Sequence, residues 1–138
     1  MDIDSYVNSG NIRSIRPILL KWISVIEDYL EYHGCEDAPW WFNERASVGT
    51  LAAAIWGAGG VALEEYTTVK GKRHDPKTGR CDLYFGLTDF QFACEAKQIW
   101  CSIGSRATKR IIKVEEGLKN SCKDARKLDK NEGWRLGA

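Results

Sequence analysis

Three residues that could perform metal-dependent chemistry lie on two short, neighbouring segments of the chain. Asp82 lies within residues 80–87, and Glu95 and Lys97 lie within residues 90–98. Both segments alternate aromatic or apolar residues with polar ones, and a short polar turn separates them. This pattern is typical of two β-strands joined by a two-residue loop, so we expect a β-hairpin.

The loop determines which residues of the two strands face each other. With Thr88 and Asp89 in the loop, Asp82 lies directly opposite Glu95, and facing Cβ atoms are about 4.5–5.5 Å apart. Two carboxylates that close repel each other, so the pair, with Lys97 on the same side, predicts a divalent cation. Carboxylate oxygens are hard ligands that suit Mg²⁺ or Mn²⁺. The other face carries apolar pairs that fix the register: Leu83 with Cys94, Phe85 with Phe92, and Leu87 with Phe90.

Two acids followed by a lysine in this arrangement resemble the motif of the PD-(D/E)XK nucleases, the superfamily with the restriction-endonuclease-like fold. Asp82, Glu95 and Lys97 fill the positions of the motif, with 12 residues between the acids. Many members also carry a glutamate on the helix before the sheet, and Glu44 matches it. Cys81 stands where the family's eponymous proline would stand, but that proline is often missing. The combination of helix glutamate, hairpin aspartate, Glu-x-Lys and a following basic helix makes the resemblance specific.

The resemblance implies a Mg²⁺-dependent deoxyribonuclease, an endonuclease in preference to an exonuclease, in which Mn²⁺ could serve as well. Asp82 and Glu95 would bind the metal together with the backbone carbonyl of Ala96. Lys97 would orient the attacking water or neutralise charge in the transition state. Glu44 would add a further carboxylate beside the metal. All four side chains are therefore expected to take part in catalysis.

The composition predicts a single intracellular domain. The 138 residues suffice for one core but not for a second recognition module. No segment approaches the roughly 20 apolar residues that span a bilayer, and the acidic start of the chain is unlike a signal peptide. We therefore expect a cytoplasmic protein without membrane contact. The five cysteines contain no Cys-x-x-Cys pair, so we expect reduced thiols rather than disulfides or zinc ligands, with Cys81 and Cys94 on the buried face of the hairpin.

The net charge of +1 conceals two halves of opposite charge. Residues 1–66 contain 4 Lys or Arg and 10 Asp or Glu, which gives −6, whereas residues 67–138 contain 16 and 9, which gives +7. Basic side chains displace counterions from phosphates, so the second half is expected to face DNA. A solvated surface of uneven charge is the alternative. The predicted DNA-binding residues are Lys70, Lys72, Arg73, Lys77, Arg80, Lys109 and Arg110.

The order of elements predicts an α/β fold. Residues 1–42 form an N-terminal helical extension, whose helix ends near residue 33, and residues 43–138 form the nuclease-like core. From its similarity to the family over residues 43–128, we expect an α-β-β-β-α-β order, with a central mixed sheet flanked by helices. The expected parts of this core are a helix beginning at Glu44 and capped by Asn43, a strand over residues 61–69, a polar connection over residues 70–79, the hairpin, a helix over residues 104–128, and a final strand from residue 134 that is truncated. The long helix should face the core with Ile111, Val114, Leu118 and Cys122.

Two other interpretations of the motif are open. The chain could keep the nuclease shape as an inactive module for DNA binding or protein interaction, or Asp82, Glu95 and Lys97 could form a surface ion-pair cluster of an unrelated domain. The short chain favours non-specific or structure-selective cleavage, or recognition delegated to a protein partner. A truncated final strand would leave an unpaired sheet edge, which favours a homodimer.

Overall fold

The computed structural model describes residues 15–72, 75–88, 90–102, 104, 106–128 and 134–138, in which three α-helices and four β-strands are formed. In chain order the elements are α1 (Arg16–Tyr32), a 3-10 turn (Pro39–Trp41), α2 (Glu44–Gly57), β1 (Val61–Lys72), β2 (Asp75–Leu87), β3 (Phe90–Glu95), α3 (Ala107–Ala125) and β4 (Trp134–Gly137). The predicted α/β class is confirmed.

The four strands form one mixed sheet in the order β1-β2-β3-β4. β1, β2 and β3 are antiparallel neighbours, whereas β4 is parallel to β3. Parallel neighbours require a crossover connection, and α3 lies between these two strands in the chain. The predicted hairpin register is confirmed, since Leu83 faces Cys94 and Phe85 faces Phe92. The rings of that second pair stack with centroids 4.9 Å apart.

The larger part of the core lies between the sheet and the pair α1 and α2. Ile18 of α1 and Val48 of α2 are buried in one cluster with Leu83 and Phe92 of the hairpin. Asn43 begins α2 as predicted, since its Oδ1 accepts a hydrogen bond of 2.9 Å from the backbone N–H of Ala46. The N-terminal helix thus shares its core with the sheet that carries the motif.

A second, smaller cluster packs α3 against the sheet. Ala125 and Leu128, at the end of α3 and just after it, are buried with Cys81 and Ala93. The close approach of α3 to β4 depends on Gly137, because a Cβ atom there would lie 2.6 Å from the Cα atom of Cys122.

The alternation of side chains along β1 and β2 is interrupted where Glu65 meets Asp82. Leu83 packs in the α2 cluster, whereas Cys81, two residues earlier, packs in the α3 cluster. In a regular strand, residues two apart lie on the same face. Glu65 has a φ of 51°, which is unusual for a residue with a side chain, and the regular pairing of the ladder lapses at this position. The prediction that Cys81 and Cys94 share one face is therefore wrong, although both thiols are buried.

The predicted polar connection over residues 70–79 is instead the outer part of a long two-stranded ribbon. β1 continues to Lys72 and β2 begins at Asp75, and the ladder pairs Lys70 with Lys77 and Val69 with Thr78. Several residues of this ribbon are exposed, among them Val69, Lys77 and Thr78, and exposed strand positions need no apolar side chains, so the polar composition concealed the strands. Gly71 of this ribbon also donates a backbone hydrogen bond of 2.9 Å to the carbonyl of Lys127.

The predicted core face of the long helix is also wrong. α3 is three residues shorter at each end than predicted, and Ile111, Val114 and Leu118 are 58%, 43% and 46% exposed. Cys122 is exposed as well, and the residues buried within α3 are Ser121 and Ala125. Because the end of β4 packs against the last turns of α3, at Ser121 and Cys122, the first turns of the helix extend past the described strands of the sheet.

Among the described residues, no helix combines the length and the apolar character that crossing a membrane demands. β1 and β4 are the two edges of the sheet, and β4 is the short final strand that was expected beside the hairpin. The predicted homodimer remains a prediction.

Candidate active site at the end of β3

The segment that follows β3 is held by backbone hydrogen bonds to three different parts of the chain. The N–H of Ala96 donates to Oδ2 of Asp82 at 2.8 Å, and the N–H of Gln98 donates to Oε2 of Glu44 at 2.7 Å. Between them, the N–H of Lys97 donates to the carbonyl of Ala138 at 2.8 Å. The Glu-x-Lys motif is therefore the point at which α2, β2, β3 and the end of β4 meet.

Glu44 is positioned by the first turn of α2 and connects that helix to the motif. Its carboxylate accepts the N–H of Gln98, and the Nε2 atom of Gln98 in turn donates to the carbonyl of Trp40 at 2.6 Å. Gln98 is not among the site residues that the sequence predicts. The structural role of Gln98 is to connect the segment after β3 with Glu44 and Trp40. A single polar residue after the motif gives no sequence signal for such a connection.

Glu95 is buried and carries the most unusual electrostatic environment of the predicted site residues. Only 4% of its surface is exposed, and Oε1 lies 2.7 Å from Nζ of Lys70. This oxygen accepts no well-directed hydrogen bond from the described residues. Its negative charge is compensated by the nearby ammonium of Lys70. Burial raises the pKa of Glu95; the Lys70 ammonium opposes that shift, whereas the charges of Asp82 and Asp124 add to it.

Asp82 has other acidic residues near it in two places, in a cleft beside α2 and at Glu95. On the side of α2 it lines a small cleft together with Glu44, Glu64 and Glu65. Its charge also acts on Glu95, which faces Lys70 of the long ribbon. The structure thus brings Asp82 near Glu44 and near Glu95, but the described residues include no group of three acidic, His or Cys side chains placed to hold one metal ion.

The donor chemistry of these residues nevertheless fits a hard divalent cation. Mg²⁺ in proteins is commonly bound through one or two carboxylates, with water and substrate phosphate as its remaining ligands. Asp82 and Glu95 supply two carboxylates on neighbouring strands, and Oε1 of Glu95 is a buried oxygen without a directed hydrogen bond. In this structure the cation beside Glu95 is the ammonium of Lys70.

Lys97 is exposed and lies at a boundary between apolar and charged surroundings. On one side it lines a cavity of about 430 Å³ whose walls are mainly apolar side chains of α1, α2, β2 and β3. On the other side its charge acts on Asp124 of α3 and lowers the pKa of that carboxyl, although the hydrogen bond from Lys127 is the larger cause. Its side chain is therefore accessible to solvent, and the charged group that it acts on is Asp124.

The predicted DNA-binding residues do not form one patch. Lys77 and Arg80 are exposed on β2, and Arg80 also pairs with Glu65 at 3.2 Å. Lys109 and Arg110 are exposed near the start of α3, roughly 22–24 Å along the helix from its last residue, Ala125, and the ribbon is contacted just beyond that residue, by Lys127 and Leu128. The ammonium of Lys70 contacts Glu95. The side chain of Lys72 and the whole of Arg73 lie outside the described part of the chain.

The two buried hairpin thiols are poor nucleophiles and poor ligands at neutral pH. Burial is the main cause that raises the pKa of Cys81 and of Cys94, and the thiolate is the reactive form. All five cysteines are free. A role for these two thiols in packing is consistent with the predicted reduced state.

Comparisons of the chain with protein-family models, with curated proteins and with solved structures found no match.

Proposed function

We propose that this chain is a metal-dependent nuclease that hydrolyses phosphodiester bonds of DNA at a site formed by Asp82, Glu95 and Lys97. One observation carries the proposal. Asp82 and Glu44 each accept a backbone N–H, one from either side of Lys97. Acids on two separate elements are thereby anchored at the lysine of the motif, which a chance surface cluster gives no reason to expect.

The finer description of the fold is part of the same proposal. From Glu44 onward, the elements follow the order α2, β1, β2, β3, α3, β4, with β4 parallel to β3. This agrees with the α-β-β-β-α-β order of a restriction-endonuclease-like core. The proposal is supported by this order together with the hydrogen bonds that join Glu44 and Asp82 to the segment just after β3.

In the proposed reaction the residues of the chain have separate tasks. Asp82, Glu95 and the carbonyl of Ala96 would hold Mg²⁺ or Mn²⁺, which when bound activates water and offsets charge on the phosphate. Lys97 would orient the attacking water and stabilise the negative charge that develops at phosphorus. Glu44 positions the motif through the N–H of Gln98 and keeps one oxygen for a contact with bound water. Cleavage would be non-specific or structure-selective, with any longer recognition supplied by a protein partner.

The proposal is tested by incubating the purified full chain with supercoiled plasmid and with a branched DNA, in Mg²⁺, in Mn²⁺ and in excess chelator. We expect nicking or linearisation with either metal and none with the chelator. Supercoiled substrate reports endonuclease activity, because it has no end from which an exonuclease could start. The absence of cleavage of both substrates in both metals, at protein concentrations that bind DNA, would overturn the proposal.

The ion pair between Lys70 and Glu95 favours a second candidate, an inactive module of the same fold that binds DNA or a protein. In that case the ammonium would be a permanent replacement for the metal. Calorimetry with Mn²⁺ separates the two candidates, since an inactive module of this type should bind no metal at the site while it still binds DNA or its protein partner.

Replacing Lys97 with alanine should lower the cleavage rate by about 100-fold or more and leave metal affinity nearly unchanged. Lysine has no lone pair to offer a cation when it is protonated, so it is not a Mg²⁺ ligand. Single-turnover cleavage and Mn²⁺ titration of the same variant provide the two measurements. Parallel losses of activity and of metal affinity would contradict the assigned role.

DNA binding should depend steeply on salt, and the dependence should follow the long ribbon. Replacing Lys77 and Arg80 with alanine should flatten the slope of log affinity against log salt by about 0.9 for each phosphate that the variant no longer neutralises. The control is the Lys109→Ala, Arg110→Ala variant, which removes the same charge at the start of α3. A slope that changes only in the control would place the phosphate-binding surface on the helix.

A further inference from the structure

Lys70 reaches the candidate site from the sheet edge along a defined path. It lies on β1 opposite Lys77 of β2, and a Cβ atom at Gly79 would lie 2.9 Å from its Cδ atom. The aliphatic stem of Lys70 therefore rests on the strand at Gly79, where any side chain would obstruct it. The stem directs the ammonium inward, to 2.7 Å from Oε1 of Glu95.

The charges around Glu95 explain why a cation is needed there. Glu95 is almost completely buried, and the carboxylates of Asp82 and Asp124 both act on it unfavourably. Asp124 has its own partner, since its Oδ1 lies 2.7 Å from Nζ of Lys127. Lys70 is thus the cation in contact with Glu95 among the described residues. A buried carboxylate that loses its only partner is strongly destabilised.

We propose that Lys70 is a built-in counter-ion that occupies the cation position at Glu95 in the metal-free protein, and that a divalent cation must displace its ammonium in order to bind. The inference rests on the proposed nuclease function and adds a residue that the motif does not contain. A lysine ammonium suits this task because it is a point charge on a flexible stem. About a quarter of the Lys70 side chain is exposed, which gives the ammonium a route to solvent.

The arrangement has a direct consequence for metal affinity. The protein does not expose an empty, repelling acid pair before the metal arrives, so the site is stable without metal. The same ion pair competes with the metal and weakens its binding. Removal of the ammonium should therefore lower the stability of the metal-free protein and raise its affinity for the metal.

The test is Lys70→Met in the full chain, because methionine keeps an unbranched apolar stem over Gly79 and removes the charge. Mn²⁺ binding is measured by calorimetry and by electron paramagnetic resonance of the free ion, without DNA. We expect the variant to bind Mn²⁺ about tenfold more tightly than the parent, which corresponds to roughly 1.4 kcal/mol of competition by the ammonium. We also expect it to melt at a lower temperature without metal and to regain the difference in saturating Mn²⁺. The matched control is Lys77→Met, which removes the same charge from the facing position of the ladder and should change the affinity much less.

The outcomes separate this inference from the proposed function. If the parent, Lys70→Met and Lys77→Met all fail to bind Mn²⁺ at millimolar concentration, both the metal site and the role of Lys70 are refuted. If the parent binds Mn²⁺ and Lys70→Met binds it equally or less tightly, the counter-ion role alone is overturned. If Lys70→Met does not fold, Lys70→Arg replaces it. Arginine stays charged and can hold Glu95 through two N–H groups, so Mn²⁺ affinity should fall, and an unchanged affinity would overturn the inference.

Discussion

Replacing Glu95 with glutamine should abolish cleavage while the protein stays folded. Glutamine keeps the shape of the side chain but cannot supply the anionic oxygen that the proposed metal requires. Because burial and the nearby acids raise the pKa of Glu95, its ionised form is costly in the folded protein, and a neutral amide avoids that cost. We expect at least a 1,000-fold loss of cleavage, roughly the scale of removing an essential electrostatic group. The melting temperature at neutral pH should be unchanged or higher.

The measurement is plasmid nicking in Mg²⁺ alongside a thermal melt monitored by circular dichroism. Glu115→Gln, on the exposed surface of α3, is the control for removal of one negative charge and should retain activity. Asp82→Asn should behave like Glu95→Gln, because its remaining oxygen can still accept the N–H of Ala96. Substantial nicking by Glu95→Gln would remove this residue from the mechanism.

The same residue predicts a dependence of stability on pH. A carboxyl whose pKa is higher in the folded than in the unfolded chain favours folding while it is protonated, below its unfolded pKa of about 4.3. That contribution is lost as pH rises through the folded pKa. The free energy of unfolding of the parent should therefore fall relative to Glu95→Gln as pH rises from about 4 to 7. If instead the free energy of unfolding of the parent falls relative to that of Glu95→Gln as pH decreases, the ammonium of Lys70 has a larger effect on the pKa of Glu95 than burial does.

The hairpin could be predicted from the sequence because two kinds of signal agree there. The apolar residues alternate on both sides of a two-residue loop, so burial of Phe85 against Phe92 and the loop length demand the same register. The cap of α2 was predictable for a similar reason, since Asn43 stands directly before an apolar helical repeat. These are short-range patterns, and the motif residues of the candidate site lie on or beside them.

The directions of the acidic side chains could not be predicted from the same pattern. Strict alternation places Asp82 and Glu95 on one side of the hairpin, but the positive φ of Glu65 on the neighbouring strand interrupts the alternation at Asp82. Nothing in the sequence around Glu65 marks it as a residue of unusual backbone conformation. The partner of Glu95 was missed for a related reason, since Lys70 was assigned to a polar connection and not to a strand.

The exposed first turns of α3 show the limit of helical periodicity. Ile111, Val114 and Leu118 recur at the spacing of a buried face, and periodicity indicates which side of a helix is apolar. It does not indicate how far the sheet beneath the helix extends. Here α3 contacts β4 at Ser121 and Cys122, so the apolar face of the helix extends beyond the part that packs on this strand.

That contact makes Gly137 the position at which the smallest substitution should have a large structural effect. A Cβ atom at Gly137 would lie 2.6 Å from Cα of Cys122 and 2.7 Å from the carbonyl carbon of Ser121. Both are backbone atoms, which cannot rotate away as a side chain can. Gly137→Ala should therefore separate β4 from α3 and destabilise the protein by about 1–3 kcal/mol, the usual cost of overpacking.

The expected displacement would also reach the candidate site. Ala138, the next residue, accepts the N–H of Lys97 and donates its own N–H to the carbonyl of Glu95 at 2.9 Å, so a shift of β4 moves both motif residues. The urea concentration at which half of the protein is unfolded should be lower for Gly137→Ala than for the parent, and so should the cleavage rate. Gly49→Ala is the matched control: a Cβ atom there makes only an ordinary contact of 3.6 Å with Glu64, and alanine favours the helix by roughly 1 kcal/mol. A Gly137→Ala variant as stable and as active as the parent would mean that β4 does not pack on α3 this closely, and that the end of β4 does not position Lys97.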